Sequence, residues 1–258
     1  MNELRALAVE LAERAAAIHR QGREKAFRID QKSNIGDVVT EIDRAAEGAI
    51  VEGILATRPN DAVVGEEGTD RAGSSGVRWV VDPLDGTASY VLGYPGYAVS
   101  IGVEVDGRPV IGVVIDALGR RTEGVFGQGA VRDGRPIRPS TRSSLEAAVL
   151  ATGFAYGPEQ RVGQAHVLAH VVGRVANIRR SGSAACDLVS TASGEVDAYY
   201  ELYLAEWDIS AGSAIVTAAG GALHLVEQPD GSILTVAAPH QLVEPLLALL
   251  SEAGLATS

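Results

Sequence analysis

The chain has 258 residues, 46% of them hydrophobic, and carries 33 aspartates and glutamates against 22 lysines and arginines for a net charge of -11. That length and apolar fraction suit one large folded unit or two small joined ones; no segment approaches the run of about 18 apolar residues that a membrane span needs, and the acidic balance disfavours nucleic acid as a partner. A single cysteine, Cys186, rules out an intrachain disulfide, and the charge-dotted N-terminus is unlike a signal peptide, so a reducing, cytoplasmic setting is expected.

Leu4, Leu7, Ala8, Leu11, Ala15 and Ile18 recur at three- and four-residue spacing and predict an amphipathic helix over residues 3–20. A second helix is expected from about Thr40 to Thr57, stopping before Pro59. "AVVGEEG" then reads as a short strand ending in a turn. Between Val77 and Arg132 the pattern changes to strands, "RWVVD", "YAVSIGVEV", "PVIGVVIDA" and a short "AVR". They are separated by turns at Asp106-Gly107, Gly127-Gln128-Gly129 and Asp133-Gly134, the grammar of an antiparallel meander. Gly127-Gln128-Gly129 also has the spacing of a dinucleotide-binding loop, but no helix follows it, which favours a hairpin turn. Beyond Pro139 helices and strands alternate: "AAVLAT", a helix over 158–173, "VANIRR", a helix from Ser183, "EVDAYYE", a helix from Ile209 and a closing helix over 241–253. The expected fold is a layered α/β sandwich of one continuous unit, with a soft boundary dividing residues 1–139 from 140–258.

Four short segments end apolar runs with acids: "VTEID" at 39–43, "GEEG" at 65–68, "DPLDGT" at 82–87 and "EWDISAG" at 206–212. In "DPLDGT", Asp82 and Asp85 would lie on opposite faces of a regular strand, but Pro83 breaks the extended run, so both can turn toward one point. Two carboxylates held that close repel, and one takes up a proton unless a cation sits between them. Oxygen ligands with no histidine or cysteine nearby point to Mg2+ rather than Zn2+. Gly86 permits close backbone approach, and its N–H with that of Thr87 would meet a phosphate. Each piece also has a plain structural reading. Asp85-Gly86 is a turn sequence, Asp43 sits three residues after Thr40 as in a capping box, Asp208 suits an N-cap for a helix beginning at Ile209, and Glu66 and Glu67 suit a solvated loop.

Together "GEEG", "WVVDPLDGTASYVLGYPGYAVSIG" and "YYELYLAEWDISAGSAIVTAAGG" resemble the signatures of the inositol monophosphatase family of Mg2+-dependent, lithium-sensitive phosphatases, in order and spacing from Lys32 to Gly221. The resemblance implies an alternating α-β-α-β-α sandwich of the inositol monophosphatase/fructose-1,6-bisphosphatase-like sugar phosphatase type, a homodimer, and two to three Mg2+ per active site. By position it makes Glu66 a ligand of the first metal, Asp82 the bridge, the Leu84 carbonyl a further ligand, and Asp85 and Asp208 the holders of the second metal. Thr87 with Asp43 would orient or deprotonate the attacking water, with Lys32 and Asp37 behind them. Gly86 and Thr87 would touch the phosphate, and Gly182, Ser183, Ala184 and Glu201 the substrate, Glu201 through ring hydroxyls.

These last residues favour myo-inositol 1-phosphate as substrate. Ala88 stands where relatives acting on histidinol phosphate or adenosine 3',5'-bisphosphate often carry lysine, while Ala88-Ser89-Tyr90, Leu92 and Gly96 depart from the inositol pattern and leave fructose 1,6-bisphosphate or another sugar phosphate as alternatives. A metabolite-binding regulatory protein on the same fold is the non-enzyme alternative. His166 and His170, at i, i+4 on a predicted helix, read as a surface pair without the acid of a zinc motif; Cys186 reads as a small buried side chain, and Trp79 and Trp207 as packing beneath the acidic site.

Overall fold

The computed structural model describes residues 1–24, 29–31 and 38–257. Lys32 and Asp37 lie outside the described residues. Between helix α1 (Asn2–Arg23) and helix α2 (Glu41–Thr57) in the chain lie β1 (Ile29–Gln31) and β2 (Val38–Thr40), which pair antiparallel. Thr40 caps α2, its side-chain oxygen accepting from the Ile42 N–H, and Asp43 returns the contact by accepting from the Thr40 N–H at 2.8 Å, so the capping box read from the sequence is formed.

An eight-stranded sheet follows. It comprises β3 (Ala62–Gly65), β4 (Asp70–Arg71), β5 (Val77–Asp85), β6 (Ala98–Val105), β7 (Arg108–Asp116), β8 (Arg121–Val125), β9 (Gly129–Arg132) and β10 (Arg135–Pro136), with the six-residue helix α3 (Thr87–Leu92) after β5. Its order is β10-β9-β8-β7-β6-β5-β3-β4, antiparallel throughout except where β3 runs parallel to β5. The meander is as expected, with one strand more: "RTEGV" is charged and glycine-containing, yet it pairs along its length with β7. Gly127 and Gly129 form the β8–β9 hairpin turn, both with positive φ.

The second sheet has the order β12-β11-β13-β15-β14, from β11 (Val149–Thr152), β12 (Asn177–Arg179), β13 (Ala198–Leu202), β14 (Ala222–Glu227) and β15 (Ile233–Ala238). The β14–β15 hairpin was not predicted, because His224, Glu227 and Gln228 obscure its alternation. Helices α4 (Pro158–Val171), α5 (Ala184–Ala192), α6 (Glu206–Ala218) and α7 (His240–Glu252) complete the chain. Helix α6 starts three residues earlier than expected, which moves Asp208 from the cap into the first turn.

The layers run α1 and α2, the eight-stranded sheet, α5 and α6, the five-stranded sheet, then α4 and α7, an α-β-α-β-α sandwich. Trp79, Val81, Ile101 and Val113 pack against α1 and α2, while Leu188, Tyr199, Ala211 and Ile215 fill the layer between the sheets. Trp79 therefore sits on the sheet face opposite Asp82 and donates to Asp61 at 3.0 Å, rather than packing beneath the acids.

Helix α6 lies unusually close to the first sheet. Gly102, Gly112 and Gly124 are cross-strand partners on β6, β7 and β8. A β-carbon at Gly112 would fall 2.0 Å from the Ala211 carbonyl oxygen, one at Gly102 2.3 Å from the Ser210 Oγ, and one at Gly124 2.6 Å from the Ile215 Cα. Only a row without side chains admits the helix backbone here. Arg78 of β5 fixes the start of the helix by pairing with Glu206 at 2.6 Å and with Glu104 at 3.1 Å.

Candidate active site

Strand β5 carries the first two acids. Its register against β6 shifts between Asp82, opposite Ser100, and Asp85, opposite Ala98. Three steps on β5 face two on β6, a bulge that holds Pro83 and rotates both carboxylates toward one point. Helix α6 brings the third. Carboxylate oxygens of Asp82, Asp85 and Asp208 lie within 4.8 Å of one another. Glu66, at the end of β3, reaches the same group through a hydrogen-bonding contact with Asp82.

Each acid is held by the backbone. Asp82 accepts from the Leu84 N–H at 3.0 Å, Asp85 from the Ser183 hydroxyl at 2.7 Å and the Ala185 N–H at 2.6 Å, and Asp208 from the Ala205 N–H at 2.7 Å. Asp85 thus ties the first sheet to the start of α5, where Ser183 also caps the Cys186 N–H. The Ser183 hydroxyl serves Asp85 and the helix cap.

Burial pushes the Asp82 carboxyl well above its usual range, with the charges of Glu66, Asp85 and Asp208 adding to the effect. Asp85 rises to about 6, again chiefly by burial, and Asp208 rises through burial and the charge of Asp85. Such mutual repulsion is the electrostatic signature of a site completed by a cation. An all-oxygen donor set of this kind suits a hard divalent ion. Among the described residues this is the one grouping of three or more potential ligands that converge this way.

Asp43 and Thr87 stand beside it. The Asp43 carboxylate lies 2.8 Å from the Thr87 hydroxyl, which is also 3.0 Å from the Leu84 carbonyl, and it accepts from the Thr40 hydroxyl at 2.5 Å. Asp43 thus caps α2 and also binds the Thr87 hydroxyl. Gly86, between Asp85 and Thr87, takes φ +88°, and a β-carbon there would fall 2.4 Å from the Gly96 carbonyl.

Two buried side chains that the sequence did not single out position these segments. Glu47 of α2 accepts from the Glu67 N–H at 2.8 Å, the Thr69 N–H at 3.1 Å and the Thr69 hydroxyl at 2.6 Å, bracing the turn that carries Glu66. His19 of α1 lies 2.8 Å from the Pro83 carbonyl, inside the bulge, and burial lowers its pKa to about 4, so it donates there as the neutral ring. Neither had a sequence signal beyond a polar residue falling on a helix face otherwise made of buried positions.

Two cavities meet at the acids. One is lined by Glu66, Asp82, Asp85, Thr87, Trp207 and Asp208; the other, by Gly182, Ala184, Asp187, Arg180, Glu201 and the Phe154–Tyr156 connection, and both share Asp85, Tyr156, Tyr203 and Asp208. Trp207 lines a wall rather than packing beneath. Glu201 projects into the second cavity, takes a 2.7 Å hydrogen bond from the Tyr199 hydroxyl and is raised to about 8, mainly by burial. Asp187, also missed from sequence, is buried beside it and raised to about 7 by the same cause. Leu92 is 81% exposed and lines neither cavity. Cys186 is buried and its thiol pushed far up. His170 lies 3.5 Å from Glu252.

A five-layer α/β sandwich with carboxylates of a bulged strand and a helix start converging between its sheets defines a class, the layered sugar-phosphatase fold with an acidic metal centre. The inositol monophosphatase family model matches residues 1–253, and the chain belongs to that family. It is 39% identical over 270 residues to the inositol-1-monophosphatase SuhB of Mycobacterium tuberculosis, covering 96% of this chain and 93% of the relative. It is also 42% identical over 193 residues to the Nus factor SuhB of Pseudomonas aeruginosa, covering 72% and 71%. The crystal structure of extragenic suppressor protein SuhB from Bartonella henselae superposes with a TM-score of 0.89 at 31% identity, covering 96% of this chain and 98% of that one.

Proposed function

We propose that the protein is a Mg2+-dependent phosphomonoesterase that hydrolyses myo-inositol 1-phosphate to inositol and inorganic phosphate. The observation that carries this reading is the convergence of Asp82, Asp85 and Asp208 beside the Asp43–Thr87 pair, at the mouth of a polar cavity holding Glu201. The family and the name of the M. tuberculosis relative support the substrate.

Glu66, Asp82, the Leu84 carbonyl, Asp85 and Asp208 would hold two or three Mg2+, which when bound supply Lewis acidity for activating water and for neutralising charge on the phosphoryl group. The protein's own groups do the rest. The Thr87 hydroxyl orients the attacking water, and the Asp43 carboxylate behind it is where that water's proton is passed. Gly86 and Thr87 present backbone N–H groups to the phosphate. Glu201 and the 182–184 loop orient the polyol. No nucleophilic side chain enters, in keeping with the inert Cys186. The same reading includes a homodimer, lithium sensitivity and a cytoplasmic setting; among the described residues no helix is long and apolar enough to cross a membrane.

The test is phosphate release with and without Mg2+ from inositol 1-phosphate, fructose 1,6-bisphosphate, histidinol phosphate and adenosine 3',5'-bisphosphate. The expected outcome is Mg2+-dependent turnover with the highest kcat/KM on inositol 1-phosphate. Replacing Glu201 by alanine should raise KM for that ester about tenfold and barely affect phenyl phosphate. Higher kcat/KM on another of the four would transfer the substrate assignment to it; no turnover on any would reject the enzyme reading.

A further inference from the structure

Among the described residues three besides glycine have positive φ: Asp106, Asp133 and Tyr203, the last at +68°. The first two are the leading residues of Asp-Gly hairpin turns, where that conformation belongs. Tyr203 is in no such turn. It lies just beyond β13, between Glu201 and the start of α6. A bulky side chain is disfavoured in this region of backbone space, and such outliers persist where the surroundings over-determine them, commonly at functional sites.

The surroundings here are specific. The Tyr203 ring packs against the core of the second sheet, and its hydroxyl donates to Asp230 Oδ2 at 3.1 Å. Asp230 is held in turn by the Ser232 N–H at 3.0 Å and the Ser232 hydroxyl at 2.6 Å, in the β14–β15 turn. The left-handed backbone and this tether fix Tyr203, which, like Tyr156, lines both cavities.

We propose that Tyr203 is a specificity-determining residue: its tethered ring is a side wall where the metal side and the leaving-group side of the site meet, and it limits the bulk of the alcohol that can be accepted. This rests on the phosphomonoesterase reading above. A compact polyol leaving group fits within the wall, whereas the base of a nucleoside 3'-phosphate has to cross it.

The experiment compares kcat/KM for adenosine 3'-phosphate and for inositol 1-phosphate in the wild-type protein and in Tyr203→Gly, Tyr203→Asn and Tyr203→Phe, each checked for folding by circular dichroism. Glycine and asparagine suit the left-handed backbone, so two independent variants remove the ring without adding strain. Both should raise the nucleotide-to-inositol ratio by about tenfold or more, mostly through KM, and Tyr203→Phe should stay within about twofold of wild type. Asp230→Ala, which frees the ring from outside the site, should raise the ratio about threefold. An unchanged ratio in folded Tyr203→Gly or Tyr203→Asn, including an equal loss on both esters, would mean that the ring only packs and would overturn the proposal. Absence of turnover by the wild-type protein on both esters would instead refute the reading on which it rests, and this inference with it.

Discussion

At the acidic cluster, the proposed metal side, Asp82 and Asp85 project from a bulged strand and Asp208 from the first turn of a helix seated directly on glycine backbone; on the proposed leaving-group side, Glu201 lies next to last in a strand while Tyr156 and Tyr203 stand on connections. The first group is fixed by main-chain hydrogen bonds at 2.6–3.0 Å. The second is fixed by side-chain contacts, Tyr199 to Glu201 and Tyr203 to Asp230. On the proposed function, chemistry common to all phosphate esters would be built into the rigid part of the fold, and discrimination among alcohols into parts that sequence change alters at little structural cost.

The sharpest way to break this contrast is Asp82→Asn. Losing the carboxylate that three other acids face should lower kcat by about a thousandfold or more on every ester alike, with circular dichroism unchanged. A loss confined to inositol 1-phosphate would put Asp82 on the wrong side of the comparison. Glu47→Gln should have a smaller, equally uniform effect. It loosens the Gly65 to Thr69 turn under Glu66, and Mg2+ affinity measured by calorimetry should fall about ten- to a hundredfold. An affinity equal to wild type would show that Glu66 needs no brace.

The smallest effect belongs to the leaving-group side and to pH. Asp187 and Glu201 have pKa values raised by burial to about 7 and about 8 in the folded chain, so the native state holds protons that the unfolded chain releases nearer pH 4. Their contribution is complete in acid and is lost as pH rises through those values. His19 works oppositely: its lowered pKa, about 4, makes stability rise with pH until the unfolded histidine has titrated near 6.5. Between pH 6.5 and 8 only the falling contribution remains of these three, and Tm of the metal-free protein should decline by a few degrees, from at most about 1.4 kcal/mol per proton per pH unit. Glu201→Gln should flatten that slope. A slope identical to wild type in the variant would remove Glu201 as its source.

Much of the metal side was legible in the sequence because its signals are local. Pro83 between Asp82 and Asp85 interrupts a regular strand and lets both acids turn one way, and Asp208 beside an apolar helical run marks a helix start. Glu47 and His19 were not legible, since a polar residue on an amphipathic helix reads as solvated until the opposing layer is known. The β14–β15 hairpin was hidden by polar residues on a half-exposed face. Tyr203 could not be found at all from pattern, because its significance lies in a backbone angle. The sequence pattern begins helix α6 at Ile209, whereas the helix starts at Glu206, and those three residues separate an acid that caps a helix from one that projects out of its first turn.

The row of Gly102, Gly112 and Gly124 has a consequence for how this protein can vary. On the side facing the first sheet the helix rests on main chain, so there the position of Asp208 does not pass through a side-chain rotamer; on its other face Gly212 packs closely against Leu188. The cost falls at these three positions, one, two and three strands from β5, where a single added methyl group would push on the helix that carries Asp208.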